Sequence, residues 1–180
     1  TKGYKSVTLR DIAAHADITL GLIPYYYNSK ENLAVSVSLK QMDNLYKKVS
    51  SVDLSDYSSA EKLYLQTYLS WEYMDEDLEY TKFYYELLET TSAAEVTSSS
   101  FNNLASQVIS DFKLDISQKQ NEIYLTVMKG AERLLLLKRH HKEIDISRIE
   151  IMNILVSNYF YNIGLSDEII AKVIHRSQEY

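Results

Sequence analysis

One proline and four glycines punctuate a chain of 180 residues. The many short strands of a β-sandwich or barrel need tight turns, and tight turns need Gly and Pro at positions of special backbone geometry. So little turn chemistry, beside 46% hydrophobic residues, points to an all-α protein. Helix-start signals recur instead. Thr8 stands three residues before Asp11, and Ser58 three before Glu61, the spacing that lets a hydroxyl and a carboxylate cap a helix N-terminus reciprocally.

These signals divide the chain. A short helix of about eight residues follows Thr8, Ala16-Asp17-Ile18 breaks it, and Thr19 is expected to cap a second short helix through Tyr25 or Tyr26. Ser29 caps a third, which continues from Lys30 past Val49 with no Gly or Pro. At 1.5 Å per residue such a helix spans roughly 30 Å, enough to connect a small N-terminal module to a larger domain. Residues 1–48 are assigned to the module with its connector and residues 49–180 to the larger domain. Further helices are expected near 59–74, 76–91, 98–113, 117–141, 147–163 and 167–179, with Thr97-Ser98-Ser99-Ser100 as a mobile loop.

No stretch approaches the 18 or more apolar residues of a membrane span, and the first residues lack the apolar run of a signal peptide. A soluble, cytoplasmic protein is expected. No cysteine is present, so disulfides and thiolate zinc sites are excluded. The net charge of −6 looks unfavourable for a nucleic-acid partner, yet residues 1–48 carry seven Lys or Arg against four Asp or Glu, whereas residues 49–180 carry twelve against twenty-one. The basic excess sits on the N-terminal module.

Two short helices joined by a tight turn, with small residues at Ala13 and Ala16 and an apolar Ile18 in the turn, follow the packing logic of a helix-turn-helix. Small side chains let the helices cross closely, and the second can then enter a major groove. The residues Val7-Thr8-Leu9-Arg10-Asp11-Ile12-Ala13, Ala16, Gly21-Leu22-Ile23, Tyr25-Tyr26-Tyr27 and Ser29-Lys30-Glu31-Asn32-Leu33 resemble the N-terminal signature of the tetracycline-repressor (TetR) family, in register over about 30 residues. Three departures stand out. Asp17 replaces the family's usual turn glycine, a position where aspartate tolerates the left-handed conformation. Pro24 is expected inside the second helix, where it would remove a hydrogen bond and kink or shorten it. The family's first helix has no counterpart here, which implies some 10–20 preceding residues in the full-length protein.

The resemblance implies base or groove contacts from Thr19, Leu20, Gly21, Leu22 and Tyr25. It also implies phosphate contacts from Thr8, Lys30 and Tyr26, placed at helix N-termini or bearing a phenolic donor. Leu20, Gly21 and Leu22 offer apolar contact and no bidentate hydrogen bond, so specificity would draw partly on DNA shape. The other reading of Tyr25, Tyr26 and Tyr27 is an aromatic plug between helices.

Tyr64, Tyr68 and Trp71 share one helix face, and Tyr80, Phe83, Tyr84 and Tyr85 follow. Aromatic side chains with a polar tip suit either a plain core or a pocket that stacks and orients a ligand. The resemblance implies the second, an effector pocket with Tyr64, Tyr68, Trp71, Tyr84, Phe101, Tyr124 and Met128 as its candidate lining. Residues 117–163 are apolar on more than one face, which a single bundle could bury, or which a homodimer could use with Gly130-Ala131 at the close approach. A dimer would set two reading helices about 34 Å apart, one turn of DNA.

Enzyme chemistry has little support. Adjacent His140 and His141 point about 100° apart on a helix, and with Arg139 and Lys142 they suit a helix C-terminus better than a metal. His15 and His175 are isolated, and no Glu-x-x-His pair suggests a di-metal site. No catalytic residue, metal or cofactor is expected. The reading is a dimeric DNA-binding regulator, a repressor of palindromic operators released by a small molecule. The competing reading is a helical ligand- or protein-binding module with a vestigial DNA-binding motif.

Overall fold

The computed structural model describes residues 3–89 and 99–179, which form nine helices and no strand. They are α1 (Leu9–His15), α2 (Leu22–Tyr27), α3 (Lys30–Ser50), α4 (Ser59–Asp75), α5 (Leu78–Leu88), α6 (Ser99–Asp111), α7 (Gln118–His140), α8 (Arg148–Asn162) and α9 (Asp167–Gln178). Of the expected loop at 97–100, Thr97 and Ser98 lie outside the described residues, while Ser99 and Ser100 already belong to α6.

Local chemistry explains where the helices begin. Thr8 with Asp11, Ser58 with Glu61, Ser117 with Gln120 and Ser147 with Glu150 form complete capping boxes, and Ser29, Asp77 and Ser166 each accept a backbone N–H of the first turn. Asp77 starts α5 two residues later than expected, because its carboxylate takes the Tyr80 N–H at 2.9 Å. Two expectations are corrected in α2. Thr19 does not cap it: the Thr19 carbonyl accepts from Leu22 N, and the helix opens after Gly21 with no side-chain cap. Pro24 therefore falls at the third helical position, where a backbone N–H would have no intrahelical partner, and it interrupts nothing. The first backbone bond one full turn long in α2, from Tyr25 N to the Gly21 carbonyl at 3.3 Å, forms beside it.

α4 is the axis of the larger domain and packs against α3, α5, α6, α8 and α9. A helix enclosed on all sides must hide its polar groups, and Thr67 and Ser70 do so by donating to the carbonyls of Leu63 and Gln66 one turn back. Around it, Leu63, Tyr64 and Trp71 meet Phe101, Leu125, Met128, Leu136, Ile151, Leu155 and Phe160 in one core. Tyr159 is enclosed there and donates to Asn121 Oδ1 at 2.7 Å. Arg148, at the start of α8, ties the C-terminal end of α4 through a two-pronged ion pair with Asp75 and a bond to the Trp71 carbonyl at 3.2 Å.

Burial holds the Tyr159 and Tyr84 hydroxyls well above the ordinary tyrosine range and raises that of Tyr80 as well. A folded-state value above the unfolded one, near 10, means that the stabilisation is complete below about pH 10 and lost as pH rises beyond it. Alkaline titration should therefore show a tyrosinate absorbance step coincident with loss of helical circular dichroism. A smooth titration with the helix signal intact would show these phenols to be accessible. Tyr159→Phe should cost about 1–3 kcal/mol in urea unfolding by orphaning Asn121.

Candidate nucleic-acid interface

The N-terminal module is built around Ala13 and Ile23, both 3% exposed. Ala13 admits the close crossing of α1 and the segment after it. Its carbonyl accepts from Ile18 N at 3.0 Å across a turn in which Asp17 takes φ of 53°, the left-handed geometry expected of it. Asn28 makes a second such reversal, at φ of 60°, and sends the chain into α3.

With Ile23 facing inward, α2 turns its other side chains to solvent. Tyr25 is 77% and Tyr26 70% exposed, their rings edge to face at 5.0 Å. Leu20, Leu22 and Ile18 are each more than two-fifths exposed and complete an apolar tip. Tyr25 and Tyr26 are therefore not a plug between helices; Tyr27, at 37% exposed, is the most enclosed of the three. Thr19 and Gly21 are exposed on the same tip.

Thr8 and Lys30 are engaged within the protein. Thr8 Oγ1 accepts from Asp11 N at 3.1 Å and donates to Asp11 Oδ2 at 2.6 Å. Lys30 Nζ donates at 2.8 Å to the carbonyls of both Tyr4 and Val7 and lies 4.7 Å from the centre of the Tyr4 ring. Its ammonium thus staples the start of the module to α3. Lys30→Met should lower stability in urea unfolding by about 1–3 kcal/mol, since two carbonyls lose their donor. A variant as stable as the parent would show that the staple does not form in solution.

Sequence reasoning missed the residues that fasten the module to the bundle. Tyr4, Ala34 and Leu87 share a small core with Phe83 against it. Lys5 N donates to Glu86 Oε2 at 2.9 Å, and its ammonium pairs with Glu89, which also receives His141 Nε2 at 3.1 Å. The Lys5 ammonium, by hydrogen bond and by charge, holds the Glu89 carboxyl below its ordinary range. More than 80 residues separate Lys5 from both acids, so no local pattern signals the contact. Further along, Ser38 and Tyr80 are 3.4 Å apart between α3 and α5, and Lys48 pairs with Glu76 at 2.6 Å.

The seven candidate ligand residues come together in one cluster. Tyr64, Trp71, Phe101 and Met128 are buried in it, and Tyr68, Tyr84 and Tyr124 pack half-buried against it. Tyr64 Oη donates to Asn153 Oδ1 at 2.8 Å, so that phenol already has a partner. No described helix is long and apolar enough to cross a membrane, and among the described residues no group of three or more His, Cys, Asp or Glu could hold a metal ion.

The family model described as bacterial regulatory proteins, tetR family, matches residues 1–37. No curated protein and no solved structure matches the chain. The matched span contains the exposed tip, the Asp17 turn and the first turns of α3. Over this span the chain is similar to the N-terminal helical module of that family of regulators.

Proposed function

We propose that the protein acts as a homodimer on palindromic operator DNA, as a repressor that a small-molecule effector releases. The observation that carries this reading is the placement of exposed apolar side chains. One set forms the α1–α2 tip. A second lies on α7, where Ile123, Val127 and Leu134 are about half exposed, and on α8, where Ile154 and Tyr161 are 51% and 68% exposed. The first set suits thymine methyls and the walls of a groove; the second suits another copy of the chain.

Residues 1–48 then serve as the reading unit and residues 49–180 as the effector and dimer domain. α3 belongs to both. Its bonds to α5 through Tyr80 and to the α4–α5 turn through Glu76 give a movement in the bundle a route to the module. An effector can shift operator affinity only by binding one arrangement of these helices better than the other. The vestigial-motif reading drew on Pro24 disrupting α2, and Pro24 stands harmlessly in its first turn.

Selection of bound sequences from random duplex DNA, using the full chain, tests the proposal. Two symmetry-related half-sites about one helical turn apart are expected, with affinity that falls steeply with salt as counterions are retained on phosphates. Failure to bind any duplex at low salt would overturn it. Metabolite mixtures that release the selected site then identify the effector class.

A further inference from the structure

Glu132 of α7 is only 6% exposed. Its Oε2 takes the Lys129 ammonium at 2.6 Å from one turn earlier on the same helix, and that ammonium stands 4.5 Å from the centre of the Phe101 ring on α6. Tyr84 of α5 lies within electrostatic reach: burial first, and then the Glu132 charge, push its hydroxyl far above the ordinary range. Burial opposes the charge on Lys129, but Glu132 and Tyr46 of α3 outweigh that and keep the ammonium charged.

An ion pair within one helix joins no two elements, and a buried pair returns little more than its desolvation costs, so packing alone would be served as well by apolar residues. What the arrangement supplies is a buried carboxylate and the Phe101 face beside an ammonium, with Tyr46 and Tyr84 packed against the same core. Those are the groups that recognise organic cations. The Lys129 side chain is 20% exposed, so its arm already reaches the surface and has somewhere to go.

We propose that the Glu132, Phe101 and Tyr84 cluster, edged by Tyr46, is a binding site for a primary organic ammonium ion. The butylammonium arm of Lys129 occupies it in the free protein and swings outward when such a cation enters. This rests on the reading of the bundle as the effector domain, and it narrows the effector to amines that are cationic at neutral pH. Because Tyr46 sits on the connector helix, exchange of the tethered ammonium for a free one acts directly beside α3.

Thermal unfolding of the full chain with n-butylammonium, n-butanol or butyrate tests the site. Only butylammonium should raise the melting temperature, by roughly 3–5 °C at about ten times its dissociation constant. Lys129→Ala empties the seat and should need at least tenfold less probe; Glu132→Gln should abolish the response. If Lys129→Ala does not fold unaided, restoration of its cooperative melt by butylammonium alone is the supporting result. An equal effect of butanol, a full response in Glu132→Gln, or a response confined to Lys129→Ala and missing in the parent overturns the proposal. Operator release is read separately. A butylammonium-dependent rise without release keeps the cation site and overturns only its coupling to DNA.

Discussion

If the proposed homodimer forms through α7, Gly130→Leu should shift it to monomer at concentrations where the parent associates. Gly130 lies in the middle of α7, is exposed, and would meet nothing within 4 Å if it carried a Cβ. Its φ is not positive, so no backbone demand explains the residue. A mid-helix glycine costs about 1 kcal/mol relative to alanine, and close approach of a second copy in the proposed dimer would offset it. Ile123, Val127 and Leu134 lie at helical spacing on the same stripe, and a glycine among them lets a second helix approach closely. In a two-fold interface every substitution acts twice. If overpacking costs 1–3 kcal/mol per copy, dimer affinity falls by about 2–6 kcal/mol, roughly 30-fold to more than 10,000-fold. Gly130→Ala is the control. It should raise helix stability while weakening association less. Sedimentation velocity over a concentration series checks both, and a Gly130→Leu dimer as tight as the parent would sink the assignment of this face.

The parts of the fold legible in the sequence are those fixed by chemistry within a few residues. The Thr8 with Asp11 and Ser58 with Glu61 boxes, the Ser29 cap, the left-handed Asp17 and the uninterrupted run from Lys30 each need only near neighbours, and each stands where expected. Errors arose where a residue's role depends on an offset of two or three positions or on a distant partner. Pro24 breaks a helix that starts at Thr19 and is harmless in one that starts after Gly21. The carbonyls that Lys30 binds, 23 and 26 residues earlier and brought close only by the reversals at Asp17 and Asn28, had no local signal either. The candidate ligand residues share one cluster, since aromatic periodicity reports which face turns inward. Periodicity cannot report the space left between those faces. Lys129 and Glu132 show the same limit: three residues apart, they read like a surface pair, and only the tertiary packing reveals the carboxylate as buried with the Phe101 ring beside its ammonium partner.

Gly21→Leu should leave the melting temperature within about 1 °C of the parent, since an exposed substitution of this kind moves stability little, and yet reduce operator affinity by roughly 30-fold to 1,000-fold. Gly21 has φ of −63° and ψ of −21°, a helical geometry open to every residue, and a Cβ built on it meets nothing within 4 Å. Neither conformation nor packing within the chain requires glycine here. The residue stands at the head of α2, between exposed Leu20 and Leu22, on the tip proposed above as the DNA-reading surface. A bare backbone at that point allows the helix to enter a groove more deeply than a side chain would. Leucine would hold it off by several ångströms and lengthen the hydrogen bonds and apolar contacts around it together. Each half-site loses about 1–2 kcal/mol, and two half-sites in one dimer multiply the loss to roughly 30-fold to 1,000-fold. Tyr25→Ala and Tyr26→Ala separate the roles of the neighbouring rings. Loss of a base-facing contact relaxes the selected sequence and leaves the salt slope unchanged, whereas loss of a phosphate contact weakens all sequences alike and lowers the slope by about one per contact. Fluorescence anisotropy across a salt series measures all three variants. If Gly21→Leu selected the parent's sequence with the parent's affinity, the reading surface would have to lie elsewhere on the module.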